Sequence, residues 1–251
     1  MKYFAYIGCS ILTTEICNAL PRVDSLIDLR FIPAGFHEQP QVMQKMIQAE
    51  IDRTEDWNEA RKQSTAVLNT LDGILLGFGL CDQATVGLTS RTLPLVLPRA
   101  HDCITLLLGS KERYRQNFTA NSGNYWYSCG WIDRMIQPGP EREKKLSEAY
   151  EAKYGAENAE FLVAQELEWQ KKYDQATFIN SAPESAAKYR RYTQDCAAYL
   201  GWRYAEMDGD PTLIVDFLKG NWDEDRFLIV RPGEEIAPSY DERVATCKKC
   251  L

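Results

Sequence analysis

His101, Asp102 and Cys103 stand together in "PRAHDCITLLLGS" (98–110), directly after the apolar run "LPLVL". A cysteine thiolate is a soft metal ligand or a nucleophile. An imidazole ligates a metal or moves a proton near neutral pH. A carboxylate orients an imidazole or caps a helix. The same residue types recur where other apolar runs end: Cys9 in "YFAYIGC", His37 in "GFHEQP" and Cys81 in "GFGLC". The chain has only two histidines against eight cysteines, and both histidines fall in this set.

Elements must position these residues. The apolar runs 3–9, 26–33, 73–81 and 93–100 read as strands. Helical patterns at 13–21 and 40–53 alternate with them, the second opening on Pro40 with Val42, Met46, Ala49 and Ile51 on its apolar face. Strands alternating with helices, apolar on nearly every residue, predict a doubly wound, mostly parallel α/β sheet. A charged stretch, 139–174, reads as a helical excursion broken at Gly155. The alternation resumes with a strand at 176–181, a helix from Pro183 to Leu200, a strand at 202–210, a helix opening on Pro211 and stopping at Gly220, and a strand at 226–233. The expected organisation is an N-terminal α/β lobe over 1–138, the excursion over 139–174, and a C-terminal α/β lobe with its tail over 175–251, the two lobes Rossmann-like. The tail "IAPSYDERVATCKKCL" reads as loop or loose helix.

Parallel strands place their C-terminal ends along one edge, where ligands of open α/β sheets bind. Cys9, Cys81 and Cys103 then reach one rim, with His37 and His101 beside them. Strands are about 4.8 Å apart and metal–thiolate bonds about 2.3 Å long, so thiols from neighbouring ends can share a metal. Three thiolates with an open fourth position suit zinc or a site-differentiated [4Fe–4S] cluster equally. The plain alternative is that these thiols simply pack, as free cysteines often do. A metal-free alternative makes Cys103 a nucleophile at a helix N-terminus, His101 its base, and Asp102 or Arg99 the group that orients the ring. Cys129, in the aromatic "NYWYSCGW", is expected to wall the cofactor site from a loop. Cys17 and Cys196 read as core. "CKKC" at 247–250 is a two-thiol half-site that would suit metal delivery if the tail is mobile.

Net charge is −7, with 45% hydrophobic and 26% charged residues. This composition argues against nucleic acid as a partner, and no apolar run reaches the length of a membrane span. The expected setting is the cytoplasm, and disulfides are a poor explanation for eight cysteines there. "GFGLCDQATVGL" is not a dinucleotide fingerprint, and no P-loop, G-x-S-x-G or H-E-x-x-H occurs.

The segments "GCSIL", "GFHEQP", "GFGLC", "RAHDCITLLLGS", "YWYSCGW" and "GDPTLIVDFLKG", in this order from residue 1 to about 235, resemble an uncharacterised domain-of-unknown-function family of anaerobic bacteria and archaea. "RAHDCITLLLGS" is the most specific of them. Cys9, His37, Cys81, His101 and Cys103 fall on the family's motif positions. Two features depart from its pattern: 52–70 is long and "CKKC" lies outside it. Genes of this family stand near corrinoid-dependent methyltransferases for methylated amines. The resemblance therefore implies a small-molecule substrate in one-carbon metabolism, contact with a corrinoid, and a corrinoid protein or methyltransferase as partner. Either an enzyme or a metal or corrinoid carrier fits that setting.

Overall fold

The computed structural model describes residues 1–36, 39–64, 70–181 and 186–250. In chain order the elements are β1 (Tyr3–Cys9), α1 (Thr13–Ala19), β2 (Leu26–Ile32), α2 (Pro40–Lys62), β3 (Gly73–Gly77), β4 (Leu95–Pro98), α3 (Cys103–Leu108), α4 (Lys111–Ala120), β5 (Asn124–Ser128), α5 (Cys129–Arg134), α6 (Pro140–Tyr154), α7 (Ala156–Glu166), β6 (Gln175–Asn180), α8 (Ala186–Leu200), β7 (Arg203–Asp208), α9 (Thr212–Lys219), β8 (Phe227–Val230), β9 (Glu234–Pro238) and β10 (Ala245–Lys249).

Two compact units divide the chain: Met1–Arg113 with Asp210–Leu251, and Tyr114–Gly209. The division differs from the one expected at 138 and 175. The reason is β5, which the aromatic sequence disguised as a loop. It pairs in parallel with β6, Tyr125 opposite Ala176, so the second unit starts well before the helical excursion. The chain returns to the first unit at Asp210, so the last helix and strand belong there.

The first unit carries a five-stranded sheet in the order β2-β1-β3-β4-β8. Its first four strands are parallel and β8 is antiparallel. Alternation along β1 covers both faces. Tyr3 meets Trp57 of α2 at 6.5 Å between ring centres, and Tyr6 meets Phe217 of α9 at 6.4 Å. The fold is thus the expected α/β, doubly wound and mostly parallel. The buried stripe of α2 is Met43, Ile47 and Ile51, spaced four residues apart, and not the expected one: Val42 and Ala49 are exposed. A helix keeps on one face only residues near multiples of 3.6, and 42, 46, 49 and 51 straddle that condition. Cys17, expected in the core, is exposed.

The second unit holds a three-stranded parallel sheet, β5-β6-β7. Its core joins Tyr127, Cys129, Phe178, Tyr189 and Cys196. Gly155, at φ 81°, separates α6 from α7 as read from sequence. The tail is neither loop nor helix. β9 and β10 form an antiparallel hairpin, Cys247 opposite Ile236. It is anchored where Gly87 N–H donates to Ile236 O (2.7 Å) and Ile236 N–H to Leu88 O (3.0 Å).

Candidate functional site

β1 lies between β2 and β3. The crossovers from β1 to β2 and onward to β3 run in opposite directions, so the loops leaving β1 and β3 bound the topological switch point of this sheet. Cys9 closes β1. Cys81 lies four residues beyond β3, and Cys103 opens α3 after β4. All three are buried, with 3–5% of their surface exposed.

The floor of this edge is built around Tyr6. Gly8 and Gly77 are register partners on β1 and β3. A Cβ on either would strike the phenol of Tyr6, which lies across both. The Tyr6 hydroxyl is fully buried and has no hydrogen-bond partner among the described residues. Burial raises its pKa well above the ordinary phenol value, and the neighbouring Cys9 and Glu15 raise it further. Glu15, in the first turn of α1, is itself only 6% exposed. Tyr6 and Glu15 escaped sequence reading. The one available signal was tyrosine two residues before a glycine at a strand end, which puts both on the same sheet face.

The loop after β3 is fastened to the loop after β4. Leu80 N–H donates to Ala100 O (2.9 Å) and Cys81 N–H to His101 O (3.0 Å). Gly79 allows the approach, because a Cβ there would lie 2.6 Å from the Asp102 amide nitrogen. Cys81, Asp82 and Gln83 all have left-handed backbones, with φ of 47°, 52° and 71°. This turn aims Cys81 inward. Burial raises the Cys81 thiol pKa strongly, the nearby Cys9 thiol adds to it, a backbone hydrogen bond at Gly79 opposes it, and Asp102 and Asp82 raise it again. Burial likewise raises Cys9, partly offset by a backbone hydrogen bond at Ile11. Cys9 is therefore close enough to Cys81 to raise its pKa, and burial favours the protonated thiol at both positions.

Asp102 caps α3 as the sequence suggested: its Oδ1 accepts from the amides of Ile104 (3.0 Å) and Thr105 (3.3 Å). His101 is exposed whereas Cys103 is buried, so ring and thiol face different surroundings. Arg99 does not orient the ring. Its guanidinium donates to the carbonyls of Glu224, Arg243 and Ala245 and ties down the tail. His37, expected as a cofactor ligand, lies outside the described residues. Cys129 follows the Ser128 cap of α5 and is wholly buried in the core of the second unit. It occupies a strand–helix junction there and not the aromatic loop expected to wall the site. Cys247 lies on β10, and Cys250 just beyond it is within 3.4 Å of the Thr89 hydroxyl. Residues three apart on an extended chain point to opposite faces, so "CKKC" is not a two-thiol clip on a free arm.

Cys9 and Cys81 thus flank the switch point and Cys103 follows the next strand over, but no ligand cage is preassembled: among the described residues no three His, Cys, Asp or Glu side chains are grouped to hold a metal ion. Among the same residues no helix is long and apolar enough to cross a membrane.

No curated protein and no solved structure matches the chain. A family match covers residues 31–218, which includes Cys81, His101, Cys103 and Cys129 and leaves out Cys9 and the tail. The chain belongs to the family described as "Protein of unknown function (DUF1638)".

Proposed function

We propose that the first unit binds a thiophilic metal, zinc or an iron–sulfur cluster, at its switch-point edge through Cys9, Cys81 and Cys103, and handles a small molecule there. The observation that carries this reading is the placement of Cys9 and Cys81: two buried thiols, one closing β1 and one in the loop after β3, which flank the switch point, with Cys9 near enough to raise the pKa of Cys81. Burial disfavours a bare thiolate, and a bound cation reverses that preference by deprotonating the thiol. The donor chemistry fits a soft metal. Completing the ligand set requires the side chains to draw together, since the cage is not preformed. When bound, the metal would supply Lewis acidity or electron transfer. The chain's own residues supply a dry edge, the Tyr6 hydroxyl as a donor beside Cys9, and two loops held together by the Cys81–His101 bond. A role next to a corrinoid protein or methyltransferase rests on the family resemblance alone.

Anaerobic purification tests the reading. Stoichiometric zinc, or iron and sulfide with visible charge-transfer absorption, is expected, and it is lost in Cys81→Ser and retained in Cys17→Ser. Native protein that takes up neither metal, even after incubation with zinc or with ferrous iron and sulfide, overturns it.

A further inference from the structure

The second unit has a cleft of about 770 Å³ between α6, α7 and the end of α8. Its floor is apolar: Ala159 and Val163 of α7, then Leu167, Leu200 and Trp202. Its walls are acidic. Glu143, Glu151, Glu160 and Glu168 line it against a single cation, Lys171. Lys171 is neutralised by Glu168 at 2.5 Å, which leaves three carboxylates and a net charge of −3. Among the described residues Glu151 and Glu160 form no ion pair, and the Glu143 carboxylate accepts only the Tyr199 hydroxyl, at 2.8 Å.

The geometry points to this cleft as the docking site for a short, basic amphipathic helix of a partner protein. The charge is spread along a line. Glu143, Ser147 and Glu151 follow one another at four-residue spacing, about 12 Å along the α6 axis. Ser147 is uncharged, so the two α6 carboxylates stand two turns apart, and cations two turns apart on a partner helix match them, whereas a small cation would need carboxylates converging on a point. The apolar floor takes the opposite face of the same helix, the helix-in-groove arrangement. A second copy of this chain is a poor occupant, because the chain itself carries −7.

The probe is a fluorescein-labelled 12-residue peptide with lysines at four-residue spacing and leucines on the other face. A scrambled peptide of the same composition is the control, and both are titrated with the full chain. The amphipathic peptide is expected to bind, more weakly as salt rises. Glu151→Gln with Glu160→Gln is expected to weaken it about tenfold, while the charge-matched pair Glu59→Gln with Glu224→Gln in the first unit leaves it within about twofold. All four sites are exposed, and circular dichroism checks that both variants keep their helix. Equal binding of the scrambled peptide, or equal loss in both double variants, would reduce the effect to bulk charge and overturn the proposal. So would dimers abolished by the Glu151/Glu160 pair, which would put a second copy in the cleft.

Discussion

The amide of Cys81 donates to the carbonyl of His101 at 3.0 Å, so the loop leaving β3 is held to the loop leaving β4 by backbone, not by the imidazole that drew attention in the sequence. This bond holds a costly turn in place. Left-handed backbone costs a non-glycine residue about 1–2 kcal/mol, and three such residues run in succession here. Gln83 is exposed at φ 71°. Gln83→Gly should therefore stabilise the first unit by up to about 1 kcal/mol. A urea midpoint that falls instead would show that the side chain is needed.

Thiol reactivity should divide by burial. Cys17 and Cys250 are exposed, whereas Cys9, Cys81, Cys103 and Cys129 are buried. Iodoacetamide followed by peptide mass spectrometry should label the exposed pair first at neutral pH. Cys9 and Cys81 should become reactive only as pH rises past the ordinary thiol range, because burial raises both. Fast, selective labelling of Cys103 at neutral pH would revive the nucleophile reading with His101 as base.

Asp102 can be assigned by comparing two substitutions. Asparagine accepts the same amide bonds as a cap, and alanine does not. Asp102→Asn should keep stability close to that of the native chain, and Asp102→Ala should lose about 1 kcal/mol. If metal content or activity falls in Asp102→Asn while the unfolding midpoint holds, the carboxylate charge matters beyond the cap.

Glu55 gives the first unit an acid-sensitive point. Its carboxylate accepts from the amides of Arg91 (3.0 Å), Thr92 (2.6 Å) and Leu93 (3.1 Å), the Thr92 hydroxyl and the Arg91 guanidinium. Burial alone would raise its pKa, but these donors hold it below the ordinary value. A depressed folded pKa contributes stability above the unfolded value, about 4.3 for glutamate, and that stability is lost as pH falls through the lower folded value. Glu55→Gln should cost about 1.5–3 kcal/mol at pH 7, and the gap should narrow in urea titrations below pH 4. A gap independent of pH would place the loss in packing instead of charge.

Gly77 should tolerate no side chain while Tyr6 is present. Gly77→Ala forces a methyl group into the phenol and should cost about 1–3 kcal/mol. Tyr6→Leu in the same chain should recover part of that, a coupling readable in a double-mutant cycle. Strict additivity would mean the ring is not what excludes the methyl.

Much of the first unit was readable because its signals are local. Apolar runs marked β1 to β4, Pro40 marked the start of α2, Gly155 the break between α6 and α7, and Asp102 the cap of α3. The helix expected to open on Pro211 begins at Thr212, with Asp210 Oδ1 bound to the Thr212 amide. What escaped was non-local. β5 is a strand because Asn124–Ser128 finds β6 some fifty residues later, and β9 and β10 find each other across the turn and dock on 87–89. No residue in those stretches states its partner, and strand pairing is decided by what the partner offers. The same holds for the rim. The order of residue types put Cys9, Cys81 and Cys103 at strand ends, since a parallel sheet collects its C-terminal ends whatever else it does. Only the tertiary structure decided that Cys81 is buried within electrostatic reach of Cys9, that His101 faces solvent and Arg99 the tail, and that Cys129 packs in the other unit. Side-chain direction at a loop follows from backbone angles and from long-range hydrogen bonds, and neither is encoded in the spacing of residues along the chain.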